Sequence, residues 1–499
     1  MTVETASRPL DRLKVVLGEI ADLRQVEQLL DWDQHVCMPH AGAAARAETF
    51  GTVGRLVHEL VGSDSLGELL VELEPLEREL GHDTPDGALM RTARRDWERA
   101  RRVPAELIGQ LGRSSGLATA AWEEAKTRSD FAVFAPHLER QLELKRRIAA
   151  CFPDAATPYD ALLDEYEEGM TSAQVAAVFA ELSDALVPLV ADLSSRRVDE
   201  APLRGPFPVE QQRAASAHVL AAFGGGVESW RLDESMHPFA SAPGLGDVRL
   251  TTNFHPHDLN SLFGTMHEFG HGIYEASVDP AFARTPLGTG TSSAVHESQS
   301  RTWENLVGRN DGFWRWFYPT LQSIFPSALG NVDREPFVRA VNAVRPGLIR
   351  IDADEVTYGL HIILRFELEQ AMLAGDVDVR ELPDAWNARI REYLGLEVPD
   401  DAHGVLQDIH WSIGLFGYFP TYQLGNVMSV QIWRRAESDL GDLDEQFARG
   451  EFAPVREWLR EHVYRLGRMY PPRELLRRIT GSDLDPAPYL EYLRTKFAS

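Results

Sequence analysis

His267-Glu268-Phe269-Gly270-His271 sets two imidazoles four residues apart with a carboxylate between them. On a helix, residues i and i+4 stack one turn apart on one face, so both rings reach one metal ion. A glutamate beside that ion is placed to take a proton from a bound water. With 16 histidines in 499 residues, a chance pair four apart is expected about 0.5 times, and an acid after the first lowers that below roughly 0.1. The residues point to a zinc-dependent peptidase.

A catalytic zinc takes three protein ligands and leaves a position for water. The third is offered downstream, in Val295-His296-Glu297-Ser298-Gln299-Ser300-Arg301. Taken singly, Glu297 or His296 reads as an ordinary surface residue. Coupled to the upstream pair, Glu297 is the leading candidate.

These residues need elements to hold them. Asp258 is a candidate N-cap for a helix starting near Leu259. Leu262, Phe263, Met266, Phe269, Ile273 and Tyr274 recur at helical spacing, so that helix is expected to lie buried with one polar stripe. The Pro/Gly/Ser/Thr stretch Thr285–Ser293 reads as a loop, and Val295, Trp303, Leu306 and Val307 give a second helical pattern. Upstream the pattern is overwhelmingly helical to about Leu193. It begins with Leu13, Val16, Leu17, Ile20, Leu23, Val26 and Leu30, and breaks at Pro104, Pro136 and Phe152–Pro158. Pro202–Pro208 reads as a loop and Gly224-Gly225-Gly226 as a turn. Val248–Phe254 alternates like one of few strands.

The motifs together resemble those of the thermostable-carboxypeptidase-type metallocarboxypeptidases, the M32 family. That family pairs HExxH with a following HES whose glutamate is a metal ligand, here Glu297. His237-Pro238-Phe239 matches its HPF, and Asp247-Val248-Arg249-Leu250-Thr251 its DxRxT. Ile349-Arg350-Ile351-Asp352-Ala353-Asp354 matches IRxxAD, and Gly404–Trp411 matches GxxQDxHW. Asp31-Trp32-Asp33-Gln34, Tyr159–Tyr166 and Gly417–Tyr422 also fit, from about residue 10 to the end. Glu168 stands where the family pattern has Pro, and Ser293-Ala294 where a Gly is commoner.

The resemblance implies a mostly α, two-lobed metallopeptidase with a deep cleft and a small β-sheet near the metal. It is read as one catalytic unit over residues 1–499, with an N-terminal helical part to about 200 and a metal-site part from about 230 to 430. It implies one Zn²⁺ per chain, with Co²⁺ as a substitute, held by His267, His271 and Glu297, and Glu268 as the base. It points to His410 and to Tyr418 or Tyr422 as oxyanion donors. Arg350, Arg249 and His237 are the substrate-binding candidates. Arg350 would take the substrate's terminal carboxylate, because guanidinium binds carboxylate bidentately. The bland reading of either arginine is a buried salt bridge, with Asp247, Asp352 or Asp354 as partner. Asp354 and Glu355 are also candidates to orient the ligand histidines. Peptides with a free C-terminus are the expected substrates, with broad specificity, and a homodimer is the expected assembly.

Composition agrees with an enzyme of this size. A net charge of −26, from 50 basic and 76 acidic residues, argues against nucleic acid or an anionic membrane as partner. Met1–Ser7 lacks a basic region followed by an apolar core, and no run of about 18 apolar residues is seen. Two cysteines, Cys37 and Cys151, are too few for a disulfide framework and suggest a reducing cytoplasm, with both packed as small hydrophobes. Two rivals remain: a helical zinc endopeptidase that needs no carboxylate clamp, and a metal- or peptide-binding scaffold without turnover. The intact Glu268 argues against the second.

Overall fold

The computed structural model describes residues 3–196, 198–226 and 228–497, with side chains from residue 8 onward. Met1 and Thr2, at the start of the segment read for a leader, lie outside the described residues. The chain groups into two compact units of three segments each. The first holds 1–101, 200–341 and 432–481; the second holds 102–199, 342–431 and 482–499.

The first unit opens with α1 (Val3–Val36), which buries Leu13, Leu17 and Ile20. The apolar stripe expected along the whole helix thins toward its end: Val26 is exposed and Leu30 half-buried. Three strands form its small sheet: β1 (Trp230–Glu234), β2 (Ala240–Gly244) and β3 (Asp247–Thr252). β3 is central, parallel to β1 and antiparallel to β2. Val248, Leu250, Thr251 and Thr252 are all buried, as a central strand requires. The register sets Arg231 opposite Arg249. Their guanidinium carbons lie 4.6 and 4.4 Å from the ring of Trp32 on α1, so the indole ties helix to sheet through two cations.

Against β3 packs α2 (Asn260–Ala276), the helix carrying His267 and His271. Its six expected apolar residues are all buried. Asp258 Oδ1 accepts the Asn260 N–H at 2.9 Å, but the cap position itself is Leu259, one residue later than expected. Next comes α3 (Ser293–Arg301), capped by the Ser292 hydroxyl, which accepts from the Val295 N–H. It runs on as a wide π-helical turn over Thr302–Val307, a deviation that apolar spacing alone does not reveal.

The described residues of the second unit form helices joined by irregular stretches, with no strand among them. Ala105–Arg128 and Phe131–Ala149 pack on each other, and Pro136, expected to break the chain, stands inside the second of them. The loss there is one backbone hydrogen bond, which the packed Phe131, Phe134, Leu138 and Leu142 offset. Ser172–Leu193 is long and apolar enough to cross a membrane by length and composition, which the sequence reading had not singled out. It buries Val175, Phe179, Leu182, Leu186 and Val190 on one face and exposes Glu181, Asp184 and Asp192 on another, the pattern of a helix packed on one side. Behind it lies α4 (Tyr358–Ala374), buried nearly all round. The irregular stretch 395–419 then leads into α5 (Pro420–Leu440).

Cys37 is exposed just past α1 and Cys151 half-buried, both free, so Cys37 does not pack as the small hydrophobe expected.

Candidate active site

Gly270, inside the HExxH segment, is where α2 meets α3. A Cβ there would fall 2.4 Å from the carbonyl oxygen of Gln299 and 2.5 Å from Ser300 Cα. Only glycine lets the two backbones approach this closely. That approach brings Glu297 to the two histidines: its Oε2 lies 3.6 Å from His267 Nε2 and 3.5 Å from His271 Nε2. Two donors each about 2.1 Å from a tetrahedral ion lie about 3.4 Å apart, so the spacing fits a shared metal. Donor atoms of the three side chains all fall within 4.8 Å of one another. His296, the other downstream candidate, does not join them; its Nδ1 faces the far nitrogen of His271.

The charges around this pocket suit a cation. Burial alone would raise the Glu297 carboxyl, but the Arg301 guanidinium and both imidazoles hold it well below the usual carboxylate range. Burial lowers His271 to about 4, keeping it neutral with a lone pair to give. Around His267 burial is outweighed by Glu297 and Glu304, which raise its pKa. The negative potential that favours a proton there equally favours a metal cation. Glu268 is buried, and burial pushes its carboxyl up to about 7. A carboxyl near neutrality is matched to taking a proton and giving it back.

A ligand imidazole works only when its other nitrogen holds the proton. His267 Nδ1 lies 2.8 Å from Glu304 Oε2. Glu304 in turn accepts from Arg301 at 3.3 Å and Arg309 at 3.5 Å. Asp354 and Glu355, the expected partners, are engaged elsewhere. Asp354 accepts from the backbone of Arg345, Val356 and Thr357, while Glu355 pairs with Lys496 at 2.7 Å.

The other candidates of the first unit lie in and beside the sheet. Arg249 makes two 2.8 Å bonds to Asp247 and lies on Trp32. His237 is exposed in the connection between β1 and β2, where its carbonyl accepts from the Ser235 hydroxyl.

The second unit gathers the remaining candidates around a residue to which the sequence reading gave no role, Asp408. Its Oδ1 accepts from Arg350 Nε at 3.0 Å and Nη2 at 2.8 Å; its Oδ2 accepts from Arg365 Nε at 2.7 Å. The salt-bridge partner of Arg350 is thus Asp408, not Asp247, Asp352 or Asp354. Arg350 Nη1 also donates to the Tyr358 hydroxyl at 3.2 Å. Three of the five guanidinium N–H groups are so occupied, leaving two for a ligand. His410 Nε2 lies 3.1 Å from the Tyr422 hydroxyl, whereas Tyr418 meets the His410 ring with centroids 5.9 Å apart. Burial, helped by Arg350 and Arg365, pushes His410 down to about 3, so it stays neutral.

Residues 12–497 match the model of the carboxypeptidase Taq (M32) metallopeptidase family. The chain belongs to that family. It is 42% identical to thermostable carboxypeptidase 1 of Thermus thermophilus over 96% of each chain. The M32 carboxypeptidase of Deinococcus radiodurans R1 superposes with a TM-score of 0.94 at 41% identity, covering 98% of this chain and 99% of that one. A carboxypeptidase of Pyrococcus furiosus solved as an apo-Mg form gives 0.93 at 35% identity over 98% and 99%. The M32 chain is therefore a metallocarboxypeptidase, and its mostly helical fold with one small sheet is that of the family.

Glu304, Arg301, Asp408 and Arg365 went unassigned in the sequence. Arg301 and Glu304 follow Glu297 at i+4 and i+7, so one helical face already carried that signal. Arg365 had no comparable signal, since it reaches Asp408 across 43 residues.

Proposed function

We propose that this carboxypeptidase is a zinc enzyme that removes single residues of broad type from the free C-terminus of peptides, through His267, His271, Glu297 and Glu268. The observation that carries the reading is the convergence of two Nε2 atoms and one carboxylate oxygen at 3.5–3.6 Å beside a buried glutamate. Two imidazoles and one carboxylate suit zinc, with cobalt as substitute, whereas magnesium prefers an all-oxygen shell. When bound, the metal supplies a Lewis acid for the scissile carbonyl and for the attacking water.

The remaining roles fall to the chain's own groups. Glu268 takes the water's proton and passes it to the leaving amine. Arg350, held in place by Asp408, offers its two remaining N–H groups to the substrate's terminal carboxylate. Neutral His410 orients the Tyr422 hydroxyl, so Tyr422 is the preferred oxyanion donor over Tyr418. Arg249 narrows the groove and excludes longer peptides, and His237 is a further substrate contact. The whole chain acts as one catalytic unit, as a cytoplasmic homodimer that binds neither nucleic acid nor membrane. The scarcity of cysteine and the net charge support that placement.

Paired peptides test the reading. Wild type should release one residue from a free-acid peptide and leave its C-terminally amidated twin intact, and a chelator should stop the reaction. Arg350→Ala should lose kcat/KM on the free acid, with Arg350→Lys recovering only part. Equal rates on both peptides would favour the endopeptidase reading.

A further inference from the structure

We propose that His296 and Glu275 are positioning residues for the metal centre, a carboxylate-anchored pair of hydrogen bonds that fixes His271 as an Nε2 ligand. The proposal rests on the assignment of His267, His271 and Glu297 as ligands.

The proton positions follow from the ligand assignment and the contacts of the two rings. Glu275 Oε1 receives the Thr289 hydroxyl at 2.8 Å, the Gly290 N–H at 3.0 Å and His296 Nε2 at 2.7 Å. Burial alone would raise the Glu275 carboxyl, but its bonds from His296, Gly290 and Thr289 hold it below the ordinary value. An ionised carboxylate only accepts, so His296 Nε2 carries the proton. A His271 that binds metal through Nε2 keeps its proton on Nδ1. His296 Nδ1 lies 2.7 Å from His271 Nδ1 and is placed to accept that proton. His271 Nε2 is left bare, on the side facing Glu297 at 3.5 Å. One carboxylate thereby fixes the tautomers of two histidines.

The packing holds the intermediate ring in that orientation. Tyr274 lies against the His296 ring with centroids 5.0 Å apart. A Cβ on Gly290 would fall 2.8 Å from His296 Cδ2 and 2.9 Å from Tyr274 Cε1. Glycine at 290 therefore serves twice, donating its N–H to Glu275 and leaving room for the imidazole.

The two ligand histidines are thus held differently. His267 donates straight to a carboxylate, Glu304. His271 donates to the His296 ring, which carries the influence of Glu275 one residue further. Loss of either connection leaves His271 free to adopt the tautomer with a protonated Nε2, which cannot bind metal.

The test uses the full chain with Zn²⁺ or Co²⁺ as probe. Metal Kd is read by chelator competition, the Co²⁺ visible absorption spectrum reports ligand geometry, and melting of the metal-free protein reports folding. His296→Phe and Gly290→Ala should each weaken metal binding by about 10- to 100-fold and shift the Co²⁺ spectrum, while metal-free melting stays near wild type. A wild-type Kd and spectrum in His296→Phe overturn the proposal. If His296→Phe fails to fold, Glu275→Gln decides, since it keeps shape and removes only the charge. A several-fold weaker Kd supports the relay, and an unchanged Kd overturns it. Glu297→Ala separates the two levels. If it retains metal, the ligand assignment fails; if it loses metal while His296→Phe and Glu275→Gln keep wild-type Kd, only the relay fails.

Discussion

Replacing Asp408 by asparagine removes the one negative charge between two buried guanidinium groups. Arg350 is 7% exposed and Arg365 fully buried, and both donate to this carboxylate. In wild type the cluster holds two positive charges and one negative, a net +1; in Asp408→Asn it holds a net +2. The neighbouring histidines offer no compensation, since His361 and His410 are both pushed to about 3 and stay neutral. Two unit charges about 4 Å apart interact by about 4 kcal/mol at an effective dielectric of about 20. Removing one partner of a buried pair costs about 3–5 kcal/mol in measured systems. Urea denaturation followed by tryptophan fluorescence should therefore show stability falling by about 3–5 kcal/mol. The pH dependence sharpens the test. The Asp408 carboxyl is held far below its ordinary value: burial opposes ionisation, but Arg350 and Arg365 outweigh it. Its contribution is present above the unfolded pKa of about 3.9 and is lost only as the pH falls through the lower folded value. The gap between wild type and variant should then be constant from about pH 6 to 8. A gap under about 1 kcal/mol would refute the view of Asp408 as the charge that holds Arg350 in place.

Glu268→Gln keeps size and shape but cannot accept a proton, so metal content should hold while kcat falls by about two or more orders of magnitude; a near-normal kcat would move the base elsewhere. Gly270→Ala should force α2 and α3 apart, lowering stability by about 1–3 kcal/mol and weakening metal binding; wild-type values on both would mean the contact tolerates a methyl group. His361 is kept neutral chiefly by burial, with Arg365 and Arg350 adding. Its folded pKa lies below the unfolded value of about 6.5, so stability is full above that pH and declines as the unfolded state takes up a proton. Between pH 7 and 5 this costs about 2 kcal/mol; in His361→Gln the same pH drop should cost correspondingly less, and an identical decline would show that His361 is not the titrating group.

The parts legible in the sequence were those whose chemistry or period is local. HExxH lies within one helix, and the apolar residues of α2 announced their own burial. Glu297 needed only a helix–loop–helix to be brought back. What escaped depends on distant packing. The π-helical turn after Arg301 leaves no trace in apolar spacing, and its Glu304 was given no role. Asp408 was visible inside its motif, but its two arginine partners lie 58 and 43 residues away. Nearby acids therefore drew the assignment instead. The burial of α1 failed locally for the same reason: periodicity marks a face, and only neighbours decide how far along the helix that face is covered.

The central claim is that three side chains hold the metal, and metal analysis of purified protein tests it most directly. Wild type dialysed against zinc and then metal-free buffer should retain about one Zn²⁺ per chain, while His267→Ala, His271→Ala and Glu297→Ala should each retain close to none. A full equivalent of zinc in Glu297→Ala would contradict the account.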